Sequence, residues 1–280
     1  MSCIPDASPF ARRRVTGLIA LALLAVWAGA VRAADGLVLR APTLPPTTTE
    51  QRPSLQSDPP FPGLTTGFHV PSDALIFRSQ PVGPDLLAVA YAFDDLVLVA
   101  RDTGHGFQAG DHYEVGTHQG PSNDLPRRLA AADFDADGIL DLAVLCSGNT
   151  DLDAGPSLGI LYGLPSGGFA PFQPIPLARP GDPTPQFSLA LSVGLIDDDE
   201  RPDLAVGHFD SHQVSILLNR GGRQWSPPNV FTVPTSGDGP SDLLLADLDF
   251  DGRTDLVALD RHDAQVWRGK GDGTFEPPAA

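Results

Sequence analysis

Residues 133–144 read DFDADGILDLAV. Three aspartates stand at alternate positions (Asp133, Asp135, Asp137), Gly138 follows, and a fourth aspartate, Asp141, leads an apolar tail. Like charges this close repel, and aspartate is a poor strand former. Either a cation gathers these carboxylates or the stretch is a solvated acidic turn.

The motif recurs. LIDDDERPDLAV (195–206) and DLDFDGRTDLVA (247–258) match it, and an eroded copy ends in GPDLLAV (83–89). Aligned on their last aspartates, Asp85, Asp141, Asp203 and Asp255, the copies lie about 50–60 residues apart. Each precedes a glycine-rich turn closed by an aromatic: GHGF to Phe107, SGGF to Phe169, GRQW to Trp225 and GDGTF to Phe275. Two markers keeping phase through four copies establish a repeat. The second copy is lengthened by an insertion, SGNTDLDAGPS (147–157).

Between the markers the segments are short, apolar and bounded by turns, such as SDLLLADL (241–248), DLVAL (255–259), AQVWRG (264–269) and NVFTVP (229–234). No long stretch has a helical period. Units of about 50 residues with four strands each are what β-propeller blades look like. The expected fold is all-β: a β-propeller of about four blades, each a four-stranded antiparallel sheet. Its domain spans 61–280, with repeats near 71–125, 126–184, 185–238 and 239–280. A stacked β-solenoid is the alternative, but its repeats are usually shorter.

Within DFDADGILD, Asp133, Asp135, Asp137 and Asp141 occupy positions 1, 3, 5 and 9, and position 7, Ile139, offers only a carbonyl. Calcium takes six to eight oxygens, and a glycine at the sharp bend lets a tight loop converge them. DLDFDGRTD repeats the arrangement with Asp247, Asp249, Asp251, Asp255, Gly252 and the Arg253 carbonyl. An EF-hand would need glutamate at position 12, where Val144 and Ala258 stand, so this is a different loop, joining two strands of a hairpin.

These stretches, with GKGDGTFEPP (269–278), resemble the FG-GAP/VCBS-type repeat of integrin α-subunit propellers and of many secreted bacterial proteins, over about residues 66–280. The resemblance implies Ca²⁺ in the hairpin between the first two strands of each competent blade. Carried over by position, Asp133, Asp135, Asp137, Ile139 and Asp141 are ligands of one ion, and Asp247, Asp249, Asp251, Arg253 and Asp255 of another. The copy at 195–203 keeps Asp197, Asp199 and Asp203, but Leu195 replaces the first ligand and Glu200 the glycine, making it a weak third site. The first copy holds Phe77, Ser79 and Pro81 at the ligand positions and is expected to be metal-free.

The N-terminus carries three arginines (Arg12, Arg13, Arg14), an apolar stretch from Leu18 to Val31 and a small-residue end at Ala33. That is the layout of a secretory signal peptide over 1–33, short of a bilayer span. The chain is accordingly expected to be exported, extracellular or periplasmic, with no integral membrane span after cleavage. Residues 34–60, rich in proline and threonine, read as a disordered linker. The formal charge is −17, aspartate far outnumbers glutamate, and Lys270 is the only lysine. Such a surface repels nucleic acid and anionic membrane. Cys146 is left without an intramolecular partner once Cys3 is removed, and its apolar run marks it as a buried small hydrophobe.

No HExxH, Walker or Rossmann pattern is present. His208 and His212 in GHFDSHQ read as solvated turn residues, Arg127 and Arg128 as a solvated pair, and Tyr91, Tyr113 and Tyr162 as packing residues. The reading favoured is a non-catalytic Ca²⁺-binding module presenting loops to a protein or glycan. The alternative is an extracellular carbohydrate-active enzyme, a polysaccharide lyase or hydrolase. The fourth repeat ends at GTFEPPAA where an outer strand should begin, so residues 64–70 are expected to supply that strand and close a ring. The rival is an open four-blade arc that completes itself as a homodimer.

Overall fold

The computed structural model describes residues 71–80, 83–117, 124–148, 155–179, 187–234 and 238–278. The segments read as signal (1–33), linker (34–60) and closing strand (64–70) lie outside them. Among the described residues, sixteen strands form four antiparallel sheets, each built of four strands in sequence order. The first sheet holds β1 (Pro71–Phe77), β2 (Leu86–Tyr91), β3 (Leu96–Asp102) and β4 (Phe107–Glu114). The second holds β5 (Pro126–Ala132), β6 (Asp141–Cys146), β7 (Ser157–Leu161) and β8 (Gln173–Ile175). The third comprises β9 (Ser188–Gly194), β10 (Asp203–His208), β11 (Gln213–Leu217) and β12 (Asn229–Thr232). The fourth comprises β13 (Asp242–Ala246), β14 (Asp255–Leu259), β15 (Ala264–Gly269) and β16 (Phe275–Glu276). These are propeller blades. Among the described residues no helix is long and apolar enough to cross a membrane.

Blades pack face to face, which explains why the second strands are apolar at nearly every position. Alternate strand residues point to opposite faces. In β6, Leu142, Val144 and Cys146 pack toward the first blade, whereas Ala143 and Leu145 pack toward the third. A strand covered on both sides reads as a continuous apolar run. Cys146 is fully buried there, as its surroundings in the sequence indicate, and burial pushes its thiol pKa up. The first strands of successive blades also meet, β1 with β5, β5 with β9 and β9 with β13. β13 does not pack on β1 as these successive pairs do.

The structure corrects the alignment of the first copy by one residue. Leu86, not Asp85, begins β2, as Asp141, Asp203 and Asp255 begin β6, β10 and β14. Leu86, Ala88 and Ala90 pack toward the second blade, as Ala143 and Leu145 pack toward the third. A slip of one residue would turn every apolar side chain to the wrong face, so the hydrophobic register outweighs the match of one aspartate. Asp85 lies outside the core and pairs with Arg78 at 2.8 Å.

The fourth blade differs at its outer edge. β16 pairs only with Arg268 and Gly269, the position where Phe169 and Trp225 form bridges to Gly163 and Asn219. Among the described residues, Ala264–Trp267 have no outer strand partner corresponding to β8 or β12.

A buried carboxylate ties each of the last three blades together. Asp141 accepts the Phe134 N–H (2.8 Å) on Oδ2 and the Gly163 N–H (2.8 Å) on Oδ1. Asp203 does the same with Ile196 (2.9 Å) and Asn219 (2.8 Å), and Asp255 with Leu248 (3.1 Å) and Gly269 (2.8 Å). Each aspartate thus joins the first hairpin of its blade to the end of the third strand. Asp203→Ala would leave two buried amides without an acceptor, at about 1–3 kcal/mol each. A loss of about 2–4 kcal/mol in urea unfolding is therefore expected, and a loss below about 0.5 kcal/mol would contradict this role.

Candidate metal centres

The hairpin loops carry their acids into three clusters. Asp133, Asp135 and Asp141 place one carboxylate oxygen each within 4.8 Å of one another, as do Asp197, Asp199 and Asp203, and Asp247, Asp249 and Asp251. Asp137 stands outside the first of these sets and Asp255 outside the last. The loops share one internal pattern. Asp133 accepts the Gly138 N–H (2.9 Å) and Asp137 the Ile139 N–H (2.8 Å). Asp247 accepts the Gly252 N–H (3.0 Å) and Asp251 the Arg253 N–H (2.9 Å). Gly138 and Gly252 have φ of 83° and 89°, a left-handed bend that suits glycine. Glu200 adopts the same hand (φ 61°), which costs a residue bearing Cβ about 1 kcal/mol. Leu195 supplies no carboxylate to bind the bend of that loop.

Each cluster contains one buried carboxylate oxygen without a hydrogen-bond partner: Asp135 Oδ1, Asp197 Oδ1 and Asp247 Oδ1. In every case the other oxygen of the same carboxylate is engaged. Asp135 Oδ2 accepts from Arg223 Nε (2.9 Å) and Nη2 (2.8 Å). Asp197 Oδ2 accepts from Arg220 (3.0 Å) and Asp247 Oδ2 from Gly252. A buried anionic oxygen left unmatched is costly. Asp135 and Asp197 hold the third position of their loops and Asp247 the first, so one such oxygen per cluster, each among further carboxylates, fits a hard, oxygen-seeking cation. Burial raises the pKa of Asp141 and of Asp203 to about 6, against the lowering effect of their backbone donors.

Residues 196–258 and 247–280 match the family model described as an FG-GAP-like repeat. The chain carries FG-GAP-type repeats. No curated protein matches it. Among solved structures it is similar to BBS1N in its complex with ARL6DN (16% identity, TM-score 0.47, covering 79% of this chain and 61% of that one). A rhamnogalacturonan lyase of Bacillus licheniformis is also similar (17% identity, TM-score 0.48, 74% of this chain and 42% of the lyase). So is an Agrocybe aegerita lectin that recognises non-reducing terminal N-acetylglucosamine (18% identity, TM-score 0.35, 77% and 67%). The chain thus spans less than two thirds of the first two proteins.

Arginines are the part of these repeat loops that the sequence reading missed. Arg223 leaves the glycine-rich turn of the third blade, crosses to Asp135 of the second, and lies over the Tyr162 ring at 4.1 Å. Arg220 bridges Asp197 and Asp199, Arg201 also pairs with Asp199, and Arg268 pairs with Asp249 and Asp255. The signal existed: NRGGRQW sets two cations in the turn that follows an acidic loop. Arg127 and Arg128 are half-buried, and Arg127 donates to Ser147 Oγ (3.4 Å).

The structure also overturns the reading of His208. It lies in β10, fully buried, and not in a solvated turn. The turn begins only after it, because GH completes the apolar register of DLAVGH. Ser188 Oγ meets its Nδ1 at 2.8 Å and Ser215 Oγ its Nε2 at 2.7 Å, so three adjacent strands share one polar link. Because all three residues are sealed from solvent, the link is structural. Burial lowers the His208 pKa to about 4, so the native state holds it neutral. The unfolded chain protonates first as pH falls, so stability should be lost between pH 6.5 and about 4, by up to about 3 kcal/mol. His208→Asn should flatten the histidine component of that decline in urea unfolding across this range. An unchanged profile would refute the assignment.

Proposed function

We propose that this chain is an exported calcium-binding β-propeller module that presents its loops to a protein or glycan partner and is not itself catalytic. One site would use Asp133, Asp135, Asp137, the Ile139 carbonyl and Asp141, and a second Asp247, Asp249, Asp251, the Arg253 carbonyl and Asp255. Asp197, Asp199 and Asp203 would form a weaker third site. The observation that carries the reading is the unpartnered buried oxygen in each acidic cluster. The donors are all oxygens, with no thiolate or imidazole among them, which suits calcium rather than zinc. Export rests on the basic, apolar and small-residue order of residues 12–33. An extracellular module works with calcium sites of modest affinity, so an imperfect ligand set suffices.

Calcium binding only to the folded state should raise stability by about 2.7 kcal/mol at a hundredfold excess over Kd. For a domain of this size that corresponds to a Tm increase of about 5–10 °C over the EDTA-treated protein. Asp135→Asn and Asp247→Asn should each reduce the gain, whereas Asp85→Ala should leave it intact. A Tm indifferent to both calcium and EDTA would exclude the metal reading. Protons compete at Asp141 below about pH 6, so calcorimetric affinity should weaken there and proton release should accompany binding. Glycan-array screening with and without calcium tests the partner class.

A further inference from the structure

The three joints between blades are built alike. In each, the glycine-rich turn of one blade seats on the first hairpin loop of the blade before it. Gln80 of the first blade reaches the Leu164 and Pro165 carbonyls of the second (3.4 and 3.5 Å). Asn219 of the third donates to the Phe134 carbonyl of the second at 2.8 Å, beside the Arg223–Asp135 pair. The Asp198 N–H of the third meets the Gly271 carbonyl of the fourth at 3.2 Å. The closing aromatics cross the same joints: Phe169 approaches Phe77 (6.2 Å), Trp225 approaches Phe134 (5.6 Å) and Phe275 approaches Phe231 (6.1 Å).

The two ends of the series each hold half of such a joint. The turn Thr103–Phe107 of the first blade is exposed, and its closing aromatic is 38% exposed. At the other end, Leu248 is 39% exposed, although its counterparts Phe134 and Ile196 are only 2% exposed. Phe250 is 90% exposed, a large apolar side chain at the place where the second and third loops have Ala136 and Asp198. On the outer face of the fourth blade, Leu244, Val257 and Val266 form a cross-strand row that no described blade covers. Ile76 is likewise exposed on the first blade, on the face opposite Phe77.

We infer that these ends dock on each other between two copies of this chain, the turn Thr103–Phe107 of one seating on the loop Asp247–Asp255 of the other. One end is a turn lacking a loop and the other a loop lacking a turn, so the contact is head to tail. Within one chain the first and fourth blades do not share such a joint among the described residues, because β13 does not pack on β1 as successive blades do. Repeating the internal joint at both ends would bring together the eight described blades of two copies, within the usual range of about 4–8. His105 stands two residues before Phe107, as Arg223 stands before Trp225, and would face Asp249 and Asp251 as a hydrogen-bond donor.

Sedimentation of the full chain should give twice the chain mass. Phe250→Asp, at an exposed site that leaves folding intact, should raise the dimer dissociation constant at least tenfold. Gly104 and Phe250 correspond to Gly271 and Asp198, which meet across the third joint. Copies carrying Gly104→Cys, mixed with copies carrying Phe250→Cys, should therefore form a disulfide-linked dimer on mild oxidation. Neither variant alone should do so, since Cys146 is buried. A monomer at all concentrations would overturn the proposal. So would an internal disulfide in a monomer bearing both substitutions, which would mean that one chain closes on itself. A dimer unaffected by Phe250→Asp and without the mixed disulfide would overturn the head-to-tail geometry.

Discussion

The aspartate that opens the second strand is the constraint on which the other features of each blade rest. Asp141, Asp203 and Asp255 are buried, and each spends both oxygens on backbone amides from two separate segments. A buried carboxylate is tolerated only when its oxygens are matched. The match in turn fixes where the hairpin loop begins and where the third strand ends. The loop therefore has a defined start from which the remaining acids are presented. Leu86 occupies this place in the first blade, and that blade also lacks an acidic loop. Staple and acidic loop are present together or absent together.

The fold was legible because two markers, an acidic loop and a glycine–aromatic turn, recur in phase, and because strand registers obey apolar alternation. Where the two criteria conflicted, as at Asp85 and Leu86, burial decided, since a misplaced charge costs less at the surface than a reversed strand does in the core. His208 was misread for a related reason. In sequence, GHFDSHQ is polar and turn-like; in three dimensions two serines on neighbouring strands satisfy both ring nitrogens. Pairing between strands that are distant in sequence leaves no local trace. The acids of the candidate sites were visible as a pattern, whereas the oxygens lacking partners depend on side-chain placement that no spacing encodes.

The arginines complicate a view of these loops as simple anionic cups. Arg223 binds Asp135 through one oxygen and leaves the other unmatched; Arg220 treats Asp197 in the same way. A guanidinium lowers the repulsion among the acids and still leaves an oxygen free, so a proposed ion would share the cluster with it. The proposed ion and the arginine need not compete. Because Arg223 comes from the following blade, the electrostatics of one loop depend on how the next blade is seated.

That dependence makes the joint between blades, rather than the single blade, the working unit. A loop followed by a blade has its second residue buried, as Phe134 and Ile196 are, whereas the loop of the fourth blade leaves Leu248 and Phe250 in water. The left-handed backbone at Phe250 belongs to the loop itself, since Ala136 shares it (φ 62°) at the same place in the second blade. Phe250 differs in carrying a large apolar side chain where the second and third loops have Ala136 and Asp198, and Asp198 lies against the Gly271 turn of the following blade. Under an incoming turn, the acids beside Phe250 would acquire the covered surroundings that the second blade already has. On this account the fourth loop is the only one of the three whose electrostatic setting depends on a second copy.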